Sequence, residues 1–331
     1  MTPERYIIGV DLGGTNIVVG AMPYDGSAEL AMRSLPTRAE EGTESVLGRI
    51  AEMVEDVVRQ TMAETGAGRE DFLGIGIGSP GPLNRARGIV IFTPNLGWRD
   101  IPLRDEISRR SGMPATLDND ANCATLGEWW CGAAKGHRNV MGLTIGTGIG
   151  GGLILDGRLY HGSSDVAGEI GHTTIDANGR LCKCGNYGCL EAYASGTAIA
   201  RRAVEAMASD GRSHILELVE GDVSRITAQT VYEAARAEDA LALEIVHDTA
   251  RFLGIGISNL LNVFNPDMVV IAGGVTQAGD ALFEPLRAEV KRRAFRPAVE
   301  ACEIVPGALP LSAGVVGAVA TFRTQTFGEL G

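Results

Sequence analysis

Apolar residues near the start of the chain form two short runs. Residues 6–10 and 17–22 are apolar apart from one glycine in each run, and residues 11–16 between them are polar and rich in glycine. Two such runs around a glycine turn predict a β-hairpin. Glycines at a hairpin tip let backbone N–H groups approach an anion closely. The tip therefore offers candidate phosphate contacts, namely Gly13, Gly14, Thr15 and Asn16.

The same pattern occurs a second time. Residues 140–155 place apolar runs on both sides of a glycine-rich tip that contains Thr147 and Gly148. Neither tip has the Gly-Lys-Ser/Thr of a P-loop. Either hairpin alone could be an ordinary tight turn, but two copies predict a duplicated fold with one phosphate-binding tip in each half. We therefore expect a two-lobed α/β protein with the actin-like (ribonuclease H-like) ATPase fold.

Other patterns place helices and strands between and after the hairpins. Apolar spacing predicts helices over residues 43–64, 227–237 and 241–263. A buried strand is expected to end at Asp118, and a helix to run from Ala121 to about Cys131 with Asn119 or Asp120 as its N-cap. Residues 268–272 predict a strand that ends at Gly273 and Gly274. We expect one lobe of residues 1–118 and about 312–331, and a second of residues 119–311.

Three cysteines and a histidine lie close together in the chain. Cys182, Cys184 and Cys189 fall within eight residues, and His172 precedes the first of them by ten. Four such ligands can complete the tetrahedral shell of a structural zinc ion, which leaves no open position for chemistry. The alternative is a loop with three reduced cysteines. Glu169 and Glu191 flank the cluster, and a zinc site that fixed both would hold two carboxylates ready for a hydroxyl-rich ligand.

Charge and composition exclude several classes of protein. A net charge of −12 argues against nucleic acid as the main partner. Six cysteines, three of them in one cluster, indicate a reducing compartment and not a disulfide framework. The first residues lack the pattern of a signal peptide, and residues 140–155 are too short and rich in glycine to span a bilayer. We expect a cytoplasmic protein that does not bind membranes.

Four motifs together resemble one known family. Glu-Ile-Gly-His at residues 169–172, followed by Cys-x-Cys-Gly-x-x-Gly-Cys-Leu-Glu at 182–191, resembles the signature of the ROK family of repressors, open reading frames and sugar kinases. The first hairpin, Asn-Asp-Ala-Asn at 119–122 and the second hairpin occur in the family's order. Thr-Pro-Asn-Leu-Gly-Trp at 93–98 resembles the bacterial glucokinase branch in particular.

The resemblance implies transfer of the γ-phosphoryl group of ATP to the 6-hydroxyl of glucose. Asp120 would be the general base that accepts the hydroxyl proton, and Asp11 would organise Mg²⁺. Gly273 and Gly274 would lie beside the adenosine. The implied sugar contacts are Gly81, Asn95, Asn119, Glu169, His172 and Glu191. The implied ligands of structural Zn²⁺ are His172, Cys182, Cys184 and Cys189.

Simpler interpretations exist for several of these residues. Helix capping alone would explain Asp120, a proline-rich connector would explain Gly81 and Asn95, and a plain strand-to-helix turn would explain the Gly273–Gly274 pair. The other histidines, which include His161, are interpreted as surface or satisfied residues.

Alternative functions also remain open at this point. The substrate could be fructose, allose or N-acetylmannosamine, and the donor could be polyphosphate. A sugar-sensing repressor of the family would carry a helix-turn-helix ahead of the first hairpin, where few residues precede Tyr6. Family members are commonly dimers or tetramers, so we expect a homodimer or homotetramer.

Overall fold

The computed structural model describes residues 4–208 and 213–328. The elements of the first 136 residues are, in order, β1 (Tyr6–Leu12), β2 (Asn16–Pro23), β3 (Leu30–Pro36), α1 (Thr43–Thr65), β4 (Phe72–Ser79), β5 (Leu83–Asn84), β6 (Ile89–Thr93), β7 (Trp98–Ile101), α2 (Leu103–Ser111), β8 (Ala115–Asn119) and α3 (Asp120–Trp130).

The remaining elements begin with the second hairpin. They are β9 (Val140–Ile145), β10 (Ile149–Leu155), β11 (Arg158–Leu159), α4 (Glu191–Ala194), α5 (Gly196–Met207), α6 (His214–Leu218), α7 (Ala228–Arg236), α8 (Ala240–Phe264), β12 (Met268–Ala272), α9 (Asp280–Arg293), α10 (Arg296–Ala301), β13 (Glu303–Pro306) and α11 (Ala313–Phe327).

Two five-stranded sheets have the same internal plan. The first has the order β3-β2-β1-β4-β8, and the second has the order β11-β10-β9-β12-β13. In the first, β4 is parallel to β1 and β8. In the second, β12 is parallel to β9 and β13. The strands correspond one to one in chain order, so the duplication expected from the two hairpins is confirmed.

The chain divides into two compact units. The first comprises Met1–Gly136, Gly152–Gly168 and Ala308–Gly331, and the second comprises His137–Gly151 and Glu169–Gly307. Residues 119–136, 152–168 and 308–311, expected in the second lobe, thus belong to the first unit. For residues 119–136 the reason is packing, because a Cβ at Gly317 of α11 would lie 1.5 Å from the carbonyl oxygen of Cys123 in α3. Residues 1–3 and 329–331 of the expected lobe lie outside the described residues.

Glycines of β4 allow α11 to lie directly on the first sheet. Ile75 and Ile77 are fully buried in the core that includes the apolar face of α1. Gly76 points to the opposite face because side chains alternate along a strand. A Cβ at Gly76 would lie 1.7 Å from the carbonyl oxygen of Ala318 in α11. The alternation of Gly and Ile therefore reflects two different packing partners.

We predict that Gly76→Ala destabilises the protein by about 3 kcal/mol, because the helix backbone that the methyl group meets cannot move without disturbing the core. The matched control is Gly48→Ala, in α1, where an added Cβ meets nothing within 4 Å. There the change is expected to stabilise by about 0.5–1 kcal/mol through helix propensity. Chemical denaturation measures both changes, and equal stabilities of the two variants would contradict this packing.

The longest helix, α8, ends where its sequence predicts. Asn265, which precedes Pro266, takes the left-handed conformation with φ 46° and caps the helix. Within α8, a Cβ at Gly254 would lie 2.7 Å from Glu289 Cβ, and one at Gly256 would lie 2.8 Å from Leu190 Cδ2. These glycines therefore serve close packing. In the part of the chain that the structure describes, no helix combines the length and apolar character needed to cross a bilayer.

Candidate active site

The tip of the first hairpin is fixed by hydrogen bonds, and three of its residues are exposed. The Gly13 N–H donates to the Asn16 carbonyl at 2.9 Å, which closes the turn. Thr37 Oγ1 donates to the Gly13 carbonyl at 2.7 Å, and the Thr37 N–H donates to the Thr15 carbonyl at 2.8 Å. Gly14, Thr15 and Asn16 are exposed. The tip thus has the rigidity and access that an anion-binding turn requires.

Asp11 and Asp120 form a pair of interacting carboxylates in the first unit. Burial, followed by the negative charge of Asp120, raises the pKa of Asp11 to about 7 from an ordinary value of 3.8. A Cβ at Gly314 would lie 2.2 Å from Asp11 Oδ2, so this carboxylate lies against the first turn of α11. A divalent cation near the pair would relieve their repulsion, since carboxylate oxygens are ligands that Mg²⁺ prefers.

The raised pKa of Asp11 gives a stability prediction. The native state keeps a proton up to about pH 7 that the unfolded chain releases near pH 4, so ionising Asp11 costs stability. That cost is absent below pH 4, grows between pH 4 and 7, and is complete above pH 7. Asp11→Asn removes it, so we expect the Tm to rise by about 4 °C or more at pH 8 and to be unchanged at pH 4.

The control for this prediction is Asp25→Asn in the same unit. The Ser27 hydroxyl, followed by the Ser27 backbone N–H, lowers the pKa of Asp25, so its ionised form is the stabilising one. The Tm of this variant should not rise at pH 8. A Tm of Asp11→Asn equal to or below that of the unaltered protein at pH 8 would show that the pair does not repel.

The turn between β8 and α3 carries the expected base. Asn119 Oδ1 accepts hydrogen bonds from the backbone N–H groups of Ala121 at 2.9 Å and Asn122 at 3.1 Å. Asn119 is therefore the N-cap of α3. Asp120 is the first residue of the helix, and its Oδ1 accepts from the Ala121 N–H at 2.8 Å. Asn119 is thus the N-cap itself, and Asp120 is the acidic residue of the first helical turn.

Gly81 and Asn95 also lie in the first unit. Gly81 has φ 97°, and a Cβ there would lie 2.3 Å from the Phe92 carbonyl oxygen. Both the backbone conformation and the lack of space therefore require glycine at this position. Asn95 lies at the first hairpin, because a Cβ at Gly14 would be 3.2 Å from Asn95 Cβ. The structure therefore brings Asn95 to the predicted phosphate-binding tip.

The second hairpin tip is tied to Glu191 within the second unit. Glu191 Oε2 accepts from the Ile149 N–H at 2.9 Å. A Cβ at Gly148 would lie 2.4 Å from the same oxygen, so glycine leaves the space that the carboxylate occupies. Thr197 Oγ1 donates to the Thr147 carbonyl at 2.7 Å. The tip and the carboxylate expected to bind sugar therefore form one connected structure.

The four expected zinc ligands converge. Their ligand atoms all lie within 4.8 Å of one another. Cys184 Sγ and Cys189 Sγ are 3.7 Å apart, and Cys182 Sγ is 3.8 Å from His172 Nδ1. Zinc–sulfur bonds of about 2.3 Å give tetrahedral sulfur–sulfur edges of about 3.8 Å, whereas a disulfide needs about 2.05 Å. The residues present therefore fit zinc, and none of the three cysteines is in a disulfide.

Tight turns bring the cysteines together. Gly185 and Gly188 have φ 93° and 73°. A Cβ at Gly188 would lie 1.7 Å from the Asp176 carbonyl oxygen. Two antiparallel β-bridges, Leu181 with Tyr187 and Thr174 with Cys189, join distant parts of the cysteine loop.

The two ring nitrogens of His172 face different groups. Nδ1 faces the cysteine cluster, and Nε2 lies 4.0 Å from Glu169 Oε2. A ligating imidazole commonly uses its second nitrogen for an outer partner. His172 can therefore bind a metal through Nδ1 and still offer Nε2 beside Glu169.

Gly273 and Gly274 follow β12 as expected, but the turn differs from a direct helix start. Gly273 has φ 96°, and a Cβ there would lie 2.3 Å from the Ile145 carbonyl oxygen. A 3₁₀ helix spans Gly274–Ala278 before α9 begins. A Cβ at Gly274 would meet nothing within 4 Å, so this position is open.

Sequence reasoning missed a polar cluster around the buried Asp118, next to the Asn119–Asp120 turn. Asp118, which is 1% exposed, accepts from His161 Nε2 at 2.9 Å and lies 3.0 Å from Arg85 Nε. Arg85 Nη1 lies 3.3 Å from Asp165 Oδ1. We call these four residues the Asp118 cluster. The one local signal in the sequence was that Asp118 is a carboxylate at the end of a buried strand. The residues that pair with it are 33 or more residues away in the sequence.

The electrostatics of Asp118 follow from these contacts. Burial acts to raise the pKa of Asp118, but the hydrogen bond and charge of His161 and the charge of Arg85 outweigh it. The pKa therefore lies below its ordinary value, and the buried carboxylate is held ionised.

The two sheets of equal plan and their glycine tips define a protein with the actin-like ATPase fold, the fold of ROK sugar kinases. The ROK family profile matches residues 7–325, and the chain belongs to this family. The resemblance inferred from the four motifs is thus confirmed.

Relatives with known names match nearly the whole chain. A glucokinase of Thermotoga maritima is 39% identical over 98% of this chain and 100% of its own length. A crystal structure of a ROK family glucokinase from Streptomyces griseus in complex with glucose and AMPPNP is 34% identical, with a TM-score of 0.83, over 95% of this chain and 98% of that one. A putative xylose repressor of Caldicellulosiruptor is 35% identical over 95% of this chain and 77% of its own length.

Proposed function

We propose that this protein is a glucokinase that transfers the γ-phosphoryl group of ATP to the 6-hydroxyl of glucose, with Asp120 as general base. The observation that carries the assignment of the base is the turn at the end of β8, where Asn119 is the N-cap and Asp120, the first residue of the helix, lies close enough to Asp11 for their charges to interact. Similarity over full length to glucokinases, one of them bound to glucose and an ATP analogue, supports the substrates.

Asp120 would accept the proton of the attacking hydroxyl. Phosphoryl transfer depends mainly on positioning and on charge stabilisation, with a carboxylate to take the proton. Asp120 lies close enough to Asp11 for its negative charge to help raise the pKa of Asp11, so the two carboxylates belong to one site.

We propose six residues as sugar contacts. Asn119 caps through Oδ1, so its Nδ2 group is the donor that would contact a hydroxyl. Asn95 and Gly81 would add a side-chain and a backbone contact. The other contacts would be Glu169, Glu191 and Nε2 of His172.

The phosphate groups would bind to the two glycine tips. Gly13, Gly14, Thr15 and Asn16 would contact them from the first tip, and Thr147 and Gly148 from the second. Asp11 would hold Mg²⁺, through water, where its carboxylate lies against the start of α11. Gly273 and the open position at Gly274 would lie along the adenosine.

Zinc would be held by His172, Cys182, Cys184 and Cys189 and would supply structure and no chemistry, since four protein ligands close the shell. The ligand atoms lie near the two carboxylates of the proposed sugar site. Glu191 Oε1 is 3.8 Å from Cys182 Sγ, and Glu169 Oε2 is 4.0 Å from His172 Nε2. The cysteine loop would therefore set the positions of both glutamates.

One further candidate function is a sugar-binding regulator without catalysis. It is favoured by the similarity to the xylose repressor, which covers the same part of this chain. The proposed setting in either case is the cytoplasm, where the free thiols stay reduced, and the proposed assembly is a homodimer or homotetramer.

The experiment that separates these functions is a coupled ADP-release assay with Mg²⁺·ATP and a panel of glucose, fructose, mannose, allose, N-acetylglucosamine and N-acetylmannosamine. Turnover fastest with glucose is the expected result. Turnover with a different sugar alone would keep the mechanism and replace the substrate. No turnover with any sugar, with ATP or with polyphosphate, combined with measurable glucose binding, would favour the regulator.

A further inference from the structure

Asp118 connects the catalytic turn to a cluster of distant residues. Its Oδ1 accepts from the Asn119 N–H at 2.8 Å and from Asn122 Nδ2 at 3.1 Å. Its Oδ2 accepts from His161 Nε2 at 2.9 Å. One oxygen therefore holds the turn and the other is held by the cluster, so the plane of the carboxylate is fixed from both sides.

Arg85 completes the charge balance around this carboxylate. Its Nε lies 3.0 Å from Asp118 Oδ2, and its backbone N–H and Nη1 both lie 3.3 Å from the carboxylate of Asp165. A buried carboxylate is costly unless it is paired and hydrogen-bonded. Loss of Arg85 or His161 would therefore leave the buried carboxylate of Asp118 with an unmet partner. The carboxylate would then reorient, and its hydrogen bonds to the turn would change.

The cluster also anchors the segment that leads to Glu169. His161 and Asp165 lie between β11 and Gly168, and the Ala167 N–H donates to the His161 carbonyl at 3.1 Å. Arg85, Asp118 and His161 line a cavity of about 680 Å³, so ring substitutions at 161 have space.

We propose that His161 and Arg85 are positioning residues for glucose phosphorylation, because by holding Asp118 they fix the Asn119–Asp120 turn that carries the sugar-binding amide and the base. This proposal rests on the proposed function for its kinetic consequences. Neither residue contacts the reacting atoms in this role, and both act through Asp118.

The test compares His161→Phe with His161→Gln. Phenylalanine keeps the ring volume and removes the donor, whereas the Nε2 group of glutamine can donate from a position close to that of the imidazole Nε2. We expect His161→Phe to lower kcat/KM for glucose by about tenfold or more, because small displacements of catalytic groups are costly, with KM for ATP unchanged within about twofold. His161→Gln should recover activity to within about threefold of the unaltered protein.

The chain offers a matched control in the second unit. His137 Nδ1 lies 3.4 Å from Asp267 Oδ1, and Asp267 accepts from the backbone N–H groups of Arg138 and Asn139. This is a similar histidine–aspartate arrangement, in which the aspartate holds the backbone at residues 138–139. His137→Phe should change Tm without a selective loss of glucose kinetics.

Hydrogen exchange gives a readout that does not depend on activity. Without substrates, the amides of residues 115–124 should exchange about tenfold faster in His161→Phe than in the unaltered protein and in His137→Phe. If His161→Phe does not fold, Arg85→Met is measured in its place, with the same expectation. Unchanged exchange over 115–124, or glutamine no better than phenylalanine, would overturn the proposal. Absence of kinase activity in the unaltered protein would refute the proposed function, and exchange alone would then decide the positioning role.

Discussion

Asp120→Asn is expected to lower kcat for glucose phosphorylation by about 10²–10⁴-fold, which is the contribution of a positioned general base. The amide has the shape of the carboxylate, so the Asn119 cap and the hydrogen bond from the Ala121 N–H can remain. Glucose affinity should therefore stay within a few-fold of the unaltered value. Steady-state kinetics and equilibrium binding of glucose measure the two effects separately.

The matched control for Asp120 is Asp280→Asn. Asp280 is also the first residue of a helix, α9, and it lies outside both glycine tips and the sugar-contact set. A general effect of removing a negative charge from a helix start would appear in both variants. Near-normal kcat in Asp120→Asn would rule out Asp120 as the base, whatever the control shows.

The second large effect is expected at the cysteine cluster. Cys184→Ser should abolish stoichiometric zinc, because it removes one of four converging ligands. Loss of the ion frees the loop that positions Glu169 and Glu191, so we expect glucose Kd to rise by about tenfold or more. Nucleotide affinity should stay within a few-fold. Metal analysis and calorimetric titration of glucose and of an ATP analogue measure these quantities.

Cys302→Ser is the control, because Cys302 is a free cysteine outside the converging ligand set. It should keep zinc and both affinities. Metal analysis that finds less than about one zinc ion per ten chains in the unaltered protein would contradict the proposed zinc site. Equal losses of glucose and nucleotide affinity in Cys184→Ser would contradict a local role in sugar binding.

The features that could be read from the sequence are those encoded locally. Two apolar runs and a glycine tip indicate each hairpin within 17 residues or fewer, and both hairpins form as expected. The cysteine cluster is also local, because its ligands span 18 residues and their spacing nearly dictates convergence. The Gly–Ile alternation of β4 predicted a strand, but the reason for the glycines needed α11, more than 230 residues later.

Elements with weak apolar patterns were not foreseen. Four consecutive residues at the end of β3 are exposed, and β13 has a single buried residue, so neither shows the alternation of a half-buried strand. Helix α2 has only three buried positions in nine. These elements form because they pack against or pair with neighbouring parts of the fold. A local sequence pattern does not contain that information.

The Asp118 cluster shows the same limit within the site. His161 lies 43 residues from Asp118, and nothing around it distinguishes it from a surface histidine. The pairing exists because the β8 edge and the segment after β11 belong to one unit, which only the folded structure shows. Residue types identified the direct sugar, phosphate and metal candidates, whereas the residues that hold them in place required the fold.

The most direct test of the central claim is the identity of the product. The protein is incubated with Mg²⁺·ATP and uniformly ¹³C-labelled glucose, and the product is examined by ³¹P and ¹³C NMR. The account predicts a phosphate monoester whose phosphorus couples to C6 of glucose, with ADP formed in equal amount. A phosphate on another carbon, or release of inorganic phosphate with unmodified glucose, would contradict it.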